Sequence, residues 1–142
     1  MYGASMATVG VRYIVDDVDV AIEFYQQLGF RVDMHPAPPF AMLSRGDLRL
    51  LLSAPGGGPG GGAATLDGRL PEPGGWNRFQ IEVTDMAAQI EQLRARGATF
   101  RNELVTGIGG RQILVEDPSG NLVELFEPTR DEARLDVSQS DG

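Results

Sequence analysis

A chain of 142 residues with 42% hydrophobic and 23% charged residues has the size and make-up of one soluble globular domain. The net charge of -8 argues against a nucleic-acid partner, which needs clustered Lys and Arg, and the absence of cysteine excludes disulfides and thiolate metal ligands. No apolar run approaches the roughly 18 residues of a membrane span. The opening "MYGASMATVG" lacks the basic start and apolar core of a signal peptide, so a cytoplasmic location is expected, with Met6 a candidate original start.

The first predicted strand alternates: Val11, Tyr13 and Val15 point one way, and Gly10, Arg12 and Ile14 the other. Asp17 stands where a helix N-cap belongs, and Val18, Ile22, Tyr25 and Leu28 recur at helical spacing behind it. Gly29 ends that helix and Phe30-Arg31-Val32 opens the next strand. His35, the sole histidine, precedes the loop "HPAPPF"; it is read as a surface residue rather than a general base, with Phe40 as a candidate pocket wall. A hairpin, "FAMLSRGDLRLLLS", follows around Gly46.

Residues 54 to 75 are dense in glycine and read as a flexible linker. The Lys-Ser or Lys-Thr ending of a phosphate loop is missing there. Beyond it, Trp76 is either a stacking surface for a ligand or a plug between linker and sheet. Phe79, Ile81 and Val83 alternate with Arg78, Gln80 and Glu82; Asp85 caps a helix carrying Met86, Ile90 and Leu93, and Gly97 closes it. "GIGGRQ" reads as a turn, with Arg111 a candidate contact for an anion. The last hairpin, "ILVEDPSGNLVELFEP", places Glu124 inside an apolar run, as metal ligand, base or half of an ion pair. Asp16 and Asp17, like Glu116 and Asp117, are read as one exposed and one capping residue each, so no paired-carboxylate chemistry is assigned.

The two halves match. At an offset of 68, Val15 meets Val83, Asp17 meets Asp85, Ile22 meets Ile90 and Gly29 meets Gly97. Aligning Gly46 with Gly120 then sets Leu50 against Glu124 and Leu52 against Phe126. The expectation is a single domain of two modules, 7–55 and 76–128, joined by a linker at 56–75 and followed by a polar tail at 129–142. Each module reads strand, helix, then about three strands.

Phe24-Tyr25 with Leu28-Gly29-Phe30 early, and Asp117-Pro118 with Gly120-Asn121 and Glu124 late, resemble the vicinal oxygen chelate superfamily. That group includes glyoxalases, ring-cleaving dioxygenases and bleomycin resistance proteins. The resemblance implies an α+β fold of two βαβββ modules, whose curved mixed sheets form a cup at the module junction. It implies a homodimer, sometimes with exchanged modules. It also implies a divalent metal held by His, Gln and Glu in active members. Carried over position by position, the ligand set here is Gly10, Leu50, Arg78 and Glu124, of which only Glu124 can ligate.

The resemblance together with this depletion implies a metal-independent, cofactor-free protein that binds a bulky or aromatic small molecule. Arg78, Gln80, Glu124 and Arg12 would supply polar contacts; Trp76, Phe40, Leu50 and Phe126 would supply walls. Arg78 would take the place of metal charge and pair with Glu124, either to orient a ligand or purely as structure. The alternatives are a glyoxalase-like lyase, isomerase or dioxygenase-related enzyme with Glu124 as base, which an adjacent Arg78 would weaken as a proton acceptor, and an interaction protein that uses only the fold.

Overall fold

A computed structural model describes residues 9–56 and 61–129. Met6 and all of the tail beyond Thr129 lie outside the described residues. The chain divides into two compact units: one holds the chain up to Gly75 together with Pro118–Asn121, the other holds Trp76–Asp117 and the chain from Leu122.

In the first unit, β1 (Val9–Ile14), α1 (Val18–Gln27), β2 (Arg31–Ala37), β3 (Phe40–Arg45) and β4 (Leu48–Ser53) follow in order. The sheet runs β1-β4-β3-β2, with β1 parallel to β4 and the other pairs antiparallel. A parallel pair needs a long crossover, and α1 with the β2–β3 hairpin supplies it. In the second unit, β5 (Arg78–Glu82), α2 (Met86–Ala95), β6 (Thr99–Phe100), β7 (Val105–Thr106), β8 (Gly110–Glu116) and β9 (Leu122–Pro128) repeat that plan. Its sheet runs β5-β9-β8-β6, with β7 also on β8 and β5 parallel to β9. The architecture is α+β, two open mixed sheets with a helix each.

The repeat extends to the helix ends. Asp17 accepts from Val20 N at 3.2 Å and Asp85 from Ala88 N at 3.1 Å, each satisfying an otherwise unpaired first-turn amide. At the other end Phe30 N donates to Tyr25 O and Gly29 N to Gln26 O; Ala98 N donates to Leu93 O and Gly97 N to Arg94 O. Both closures need a left-handed residue, which Gly29 and Gly97 provide at φ of 90° and 87°. Asp17→Ala is expected to cost about 1 kcal/mol, measured by urea unfolding; a loss under about 0.3 kcal/mol would show the cap to be dispensable.

The core of the first unit is built on Tyr25, fully buried, edge-on to Phe24 at 5.0 Å and to Phe30 at 5.5 Å between ring centroids. Leu43, Leu50 and Leu52 are buried with it. In the second unit Met86 and Leu93 of α2 are fully buried, as are Val115, Val123 and Leu125 of the sheet.

Three expectations change here. The first concerns register. Gly10 pairs with Arg49 and Arg12 with Leu51, whereas Arg78 pairs with Leu122 and Gln80 with Glu124. The counterpart of Glu124 is therefore Leu51, not Leu50. The hairpin at Gly46 has a two-residue turn, Arg45 pairing with Leu48, whereas Glu116 pairs with Leu122 across five residues. Aligning the two turns on their glycines shifts the strand by one, and one residue reverses every side chain.

The second concerns the second strand of the second module, which is broken into β6 and β7. Asn102 Oδ1 accepts from Leu114 N at 2.9 Å, so a side chain replaces a backbone partner and the ladder is interrupted. The third concerns the glycine-rich segment. Residues 57–60 lie outside the described residues and 63–75 are mostly exposed, but the start of the segment that is described is packed. Gly62 is buried, and a Cβ there would strike the Ala54 carbonyl; a Cβ on Gly61 would strike the Arg12 guanidinium. Gly56 N donates to Gly62 O at 2.6 Å. These glycines serve close approach of backbone as well as turning.

Candidate functional site

The sheet of the second unit has two unlike faces. Ile81, Ile113, Val115, Val123 and Leu125 are buried on the face that α2 packs against. Strand alternation puts Arg78, Gln80, Glu124, Leu122, Phe126, Leu114 and Glu116 on the other.

Glu124 lies at the centre of that second face and its side chain is only 10% exposed. Arg78 Nε donates to its Oε1 at 3.1 Å, and Gln80 Nε2 to its Oε2 at 2.7 Å. Both carboxylate oxygens are therefore engaged by neighbours on the adjacent strand, as a buried charge requires. Arg78 also donates from Nη1 to the Trp76 carbonyl at 3.4 Å. Trp76 is 66% exposed, and the Arg101 guanidinium sits 4.6 Å from its ring centroid. Arg101 Nε in turn donates to Glu116 Oε2 at 3.0 Å. Two cation–carboxylate pairs thus lie on one sheet face beside an exposed indole.

Of the candidate residues, Arg78, Gln80, Glu124, Trp76 and Phe126 all lie in the second unit. Arg12 and Phe40 belong to the first sheet: Arg12 Nη1 donates to Ser53 Oγ at 2.8 Å, and Phe40 pairs with Ser53 at the end of its strand. Leu50 is fully buried and pairs with Leu43 on the core side, so it forms no wall of an open face.

Arg101 and Glu116 were not singled out from the sequence, where Glu116 passed as a solvated turn residue. Pairing of Glu116 with Leu122 puts it on the face of Glu124, and the arginine that meets it comes from a pairing across the sheet. Asp117, read as the capping member of the Glu116 and Asp117 pair, is buried, only 3% accessible. Arg111 differs as well: it pairs with Glu127, which accepts from Met86 N at the start of α2. Both therefore stand on the helix side of the sheet. His35 falls within β2, its Nε2 3.7 Å from Asp19 Oδ1 at the start of α1.

The metal of the resembled enzymes does not fit these residues. Its positions here hold Gly10, Leu51, Arg78 and Glu124, and the one carboxylate is committed to Arg78 and Gln80. Among the described residues no three His, Cys, Asp or Glu side chains come together in a metal-holding group. Among them, too, no helix is long and apolar enough to cross a membrane.

Two repeated strand-helix-strand units, each a mixed sheet with one helix, define the class by its fold. The chain belongs to the Glyoxalase/Bleomycin resistance protein/Dioxygenase superfamily, whose family model matches residues 7–125. It is similar to a member of that superfamily from Sphaerobacter thermophilus DSM 20745, at 27% identity and TM-score 0.64, covering 83% of this chain and 94% of the other. It shares its fold with TnmS3, an antibiotic binding protein from Streptomyces sp. CB03234, at 21% identity and TM-score 0.63, covering 91% and 100%. It also shares it with a lactoylglutathione lyase from Agrobacterium tumefaciens, at 22% identity and TM-score 0.62, covering 85% and 92%. No curated protein matches the chain.

Proposed function

We propose that this chain is a metal-independent small-molecule binding protein of its superfamily, and that the open face of the second sheet receives a planar or bulky aromatic ligand. The observation that carries this reading is the closed triad of Arg78, Gln80 and Glu124: the family's carboxylate is spent on protein donors instead of a metal. Arg78 and Gln80 orient polar groups of the ligand. Trp76, already stacked on Arg101, offers its exposed ring as a platform, and Phe126 adds an apolar wall. An antibiotic binding protein of the same fold makes sequestration a natural use of such a face. A cytoplasmic homodimer belongs to the same proposal, and sedimentation at micromolar concentration tests the dimer.

Trp76 is the only tryptophan, so its fluorescence reports on this face alone. A panel of planar aromatic compounds, titrated with and without EDTA, is expected to contain compounds that quench it saturably and equally in both conditions. Quenching that needs added Zn²⁺, Ni²⁺, Mn²⁺ or Fe²⁺ would overturn metal independence. An absence of saturable quenching across the panel would overturn aromatic ligand binding here.

A further inference from the structure

The two units differ where the second strand of the second one breaks. In the first unit β2 runs unbroken for seven residues, and α1 buries Val18, Ala21, Ile22, Phe24 and Tyr25. At the offset of 68, Ala21 and Phe24 become Gln89 and Gln92, and α2 buries only Met86 and Leu93. Ile90, the counterpart of the buried Ile22, is half-buried. β6 and β7 keep two residues each, and residues 101–104 between them form no strand. The break is built in rather than frayed. Arg101 N donates to Leu114 O at 2.9 Å and Asn102 Oδ1 accepts from Leu114 N at 2.9 Å, so Leu114 keeps both backbone partners where the ladder stops.

The break leaves a groove of about 700 Å³ between α2 and residues 103–104. Ala87, Ile90, Leu104 and Ile113 give it an apolar lining. Glu91, Arg94 and Glu103 complete it. Arg94 lies over the Phe100 ring, its guanidinium 5.2 Å from the centroid. Glu91 and Glu103 have no ion-pair partner among the described residues. A concave apolar lining with a few charged groups is the make-up of a small-molecule site. Ile113 faces α2, so the groove lies on the opposite side of the sheet from Arg78, Gln80 and Glu124.

We propose that this groove binds a small organic cation: Ile90, Leu104 and Ile113 take its apolar body, and Glu91 and Glu103 take its ammonium head. Two carboxylates without partners outnumber one arginine, whose charge already rests on an aromatic ring. The net charge of -8 favours the approach of a cation at long range. The site does not depend on what the other face of the sheet binds.

The test is isothermal titration calorimetry of the full chain at low ionic strength with three probes that share one ring system: 2-naphthylmethylamine, which is a cation at neutral pH, neutral 2-naphthylmethanol, and the anion 2-naphthoate. The amine is expected to bind about fivefold more tightly than the alcohol, and the carboxylate more weakly than either. Glu91→Gln/Glu103→Gln is expected to bring the amine-to-alcohol ratio below about twofold. Both substitutions are isosteric and at exposed positions, so the fold is retained. Ala87→Phe, also at an exposed helix position, fills the groove and is expected to weaken the amine at least about tenfold, with the far-UV circular dichroism of the parent. Arg78→Met/Glu124→Leu, on the other face, is expected to leave the ratio unchanged. No binding of the amine, an amine no tighter than the alcohol, or a ratio that survives the glutamine substitutions would each overturn the proposal. A ratio lost in Arg78→Met/Glu124→Leu would move the cation to the other face and overturn it as well.

Discussion

Arg78→Met is expected to lower stability by about 3 kcal/mol and the melting temperature by about 6–12 °C. The substitution leaves Glu124 half-satisfied: Gln80 still donates at 2.7 Å, but the charge on a side chain only 10% exposed loses its counter-ion. Breaking a buried pair from one side costs much more than the pair contributes, because the remaining ion has no water to return to. The double variant Arg78→Met/Glu124→Leu removes both charges and is expected to recover most of the loss. The check is urea unfolding followed by far-UV circular dichroism on both single variants and the double. If the double variant is as unstable as the sum of the singles, the two residues act independently and the pair is not what holds Glu124 in place. The functional counterpart is separable: the stable double variant should lose aromatic quenching of Trp76, because orientation by Arg78 is gone even though the fold is intact.

Leu50→Ala is expected to cost about 3 kcal/mol, and Leu51→Ala about 1 kcal/mol or less. The two leucines are adjacent and chemically identical, so the contrast isolates the side of the sheet each one faces. Leu50 is fully buried against Leu43, whereas Leu51 is only partly covered, on the face with Arg12. Equal losses, or a larger one at Leu51, would contradict the pairing of Arg12 with Leu51 and return Leu50 to the open face. Denaturant midpoints at constant slope suffice to decide it.

Those two leucines also show where sequence reasoning reached its limit. Strand alternation, Asp17 and Asp85 as caps, and Gly29 and Gly97 as closures are local signals, and the offset of 68 between the halves made each one count twice. Local signals of this kind were enough to reach the fold and the facing of Arg78, Gln80 and Glu124, because parity within a strand needs no knowledge of its neighbours. The β4 register was not legible, since it depends on how many residues each turn consumes, and a two-residue turn and a five-residue turn both contain a glycine that invites alignment. The stacking of Arg101 on Trp76 spans 25 positions and a broken strand, so no spacing rule could bring the two together. Arg111 could have been placed: it alternates with Gln112, so it shares a face with Ile113 and Val115 rather than with Glu124. In the segment after Ala54 glycine density alone does not reveal that Gly61 and Gly62 let backbone lie flush against Arg12 and Ala54.

The turn between β8 and β9 carries a last consequence. Ser119 Oγ accepts from Asp16 N at 2.8 Å, Asn121 Nδ2 donates to Ile14 O at 2.8 Å, and Asn121 Oδ1 accepts from Gly74 N at 2.8 Å. The first unit thus takes four of its residues from the far end of the chain. A chimera that joins this chain to a relative at position 75 would import a foreign turn for those three backbone groups, unless the donor also carries a side chain of matching length at each place. The halves look like interchangeable cassettes of one ancestral repeat, but recombination between them is constrained by a tetrapeptide that belongs to one half by sequence and to the other by hydrogen bonding.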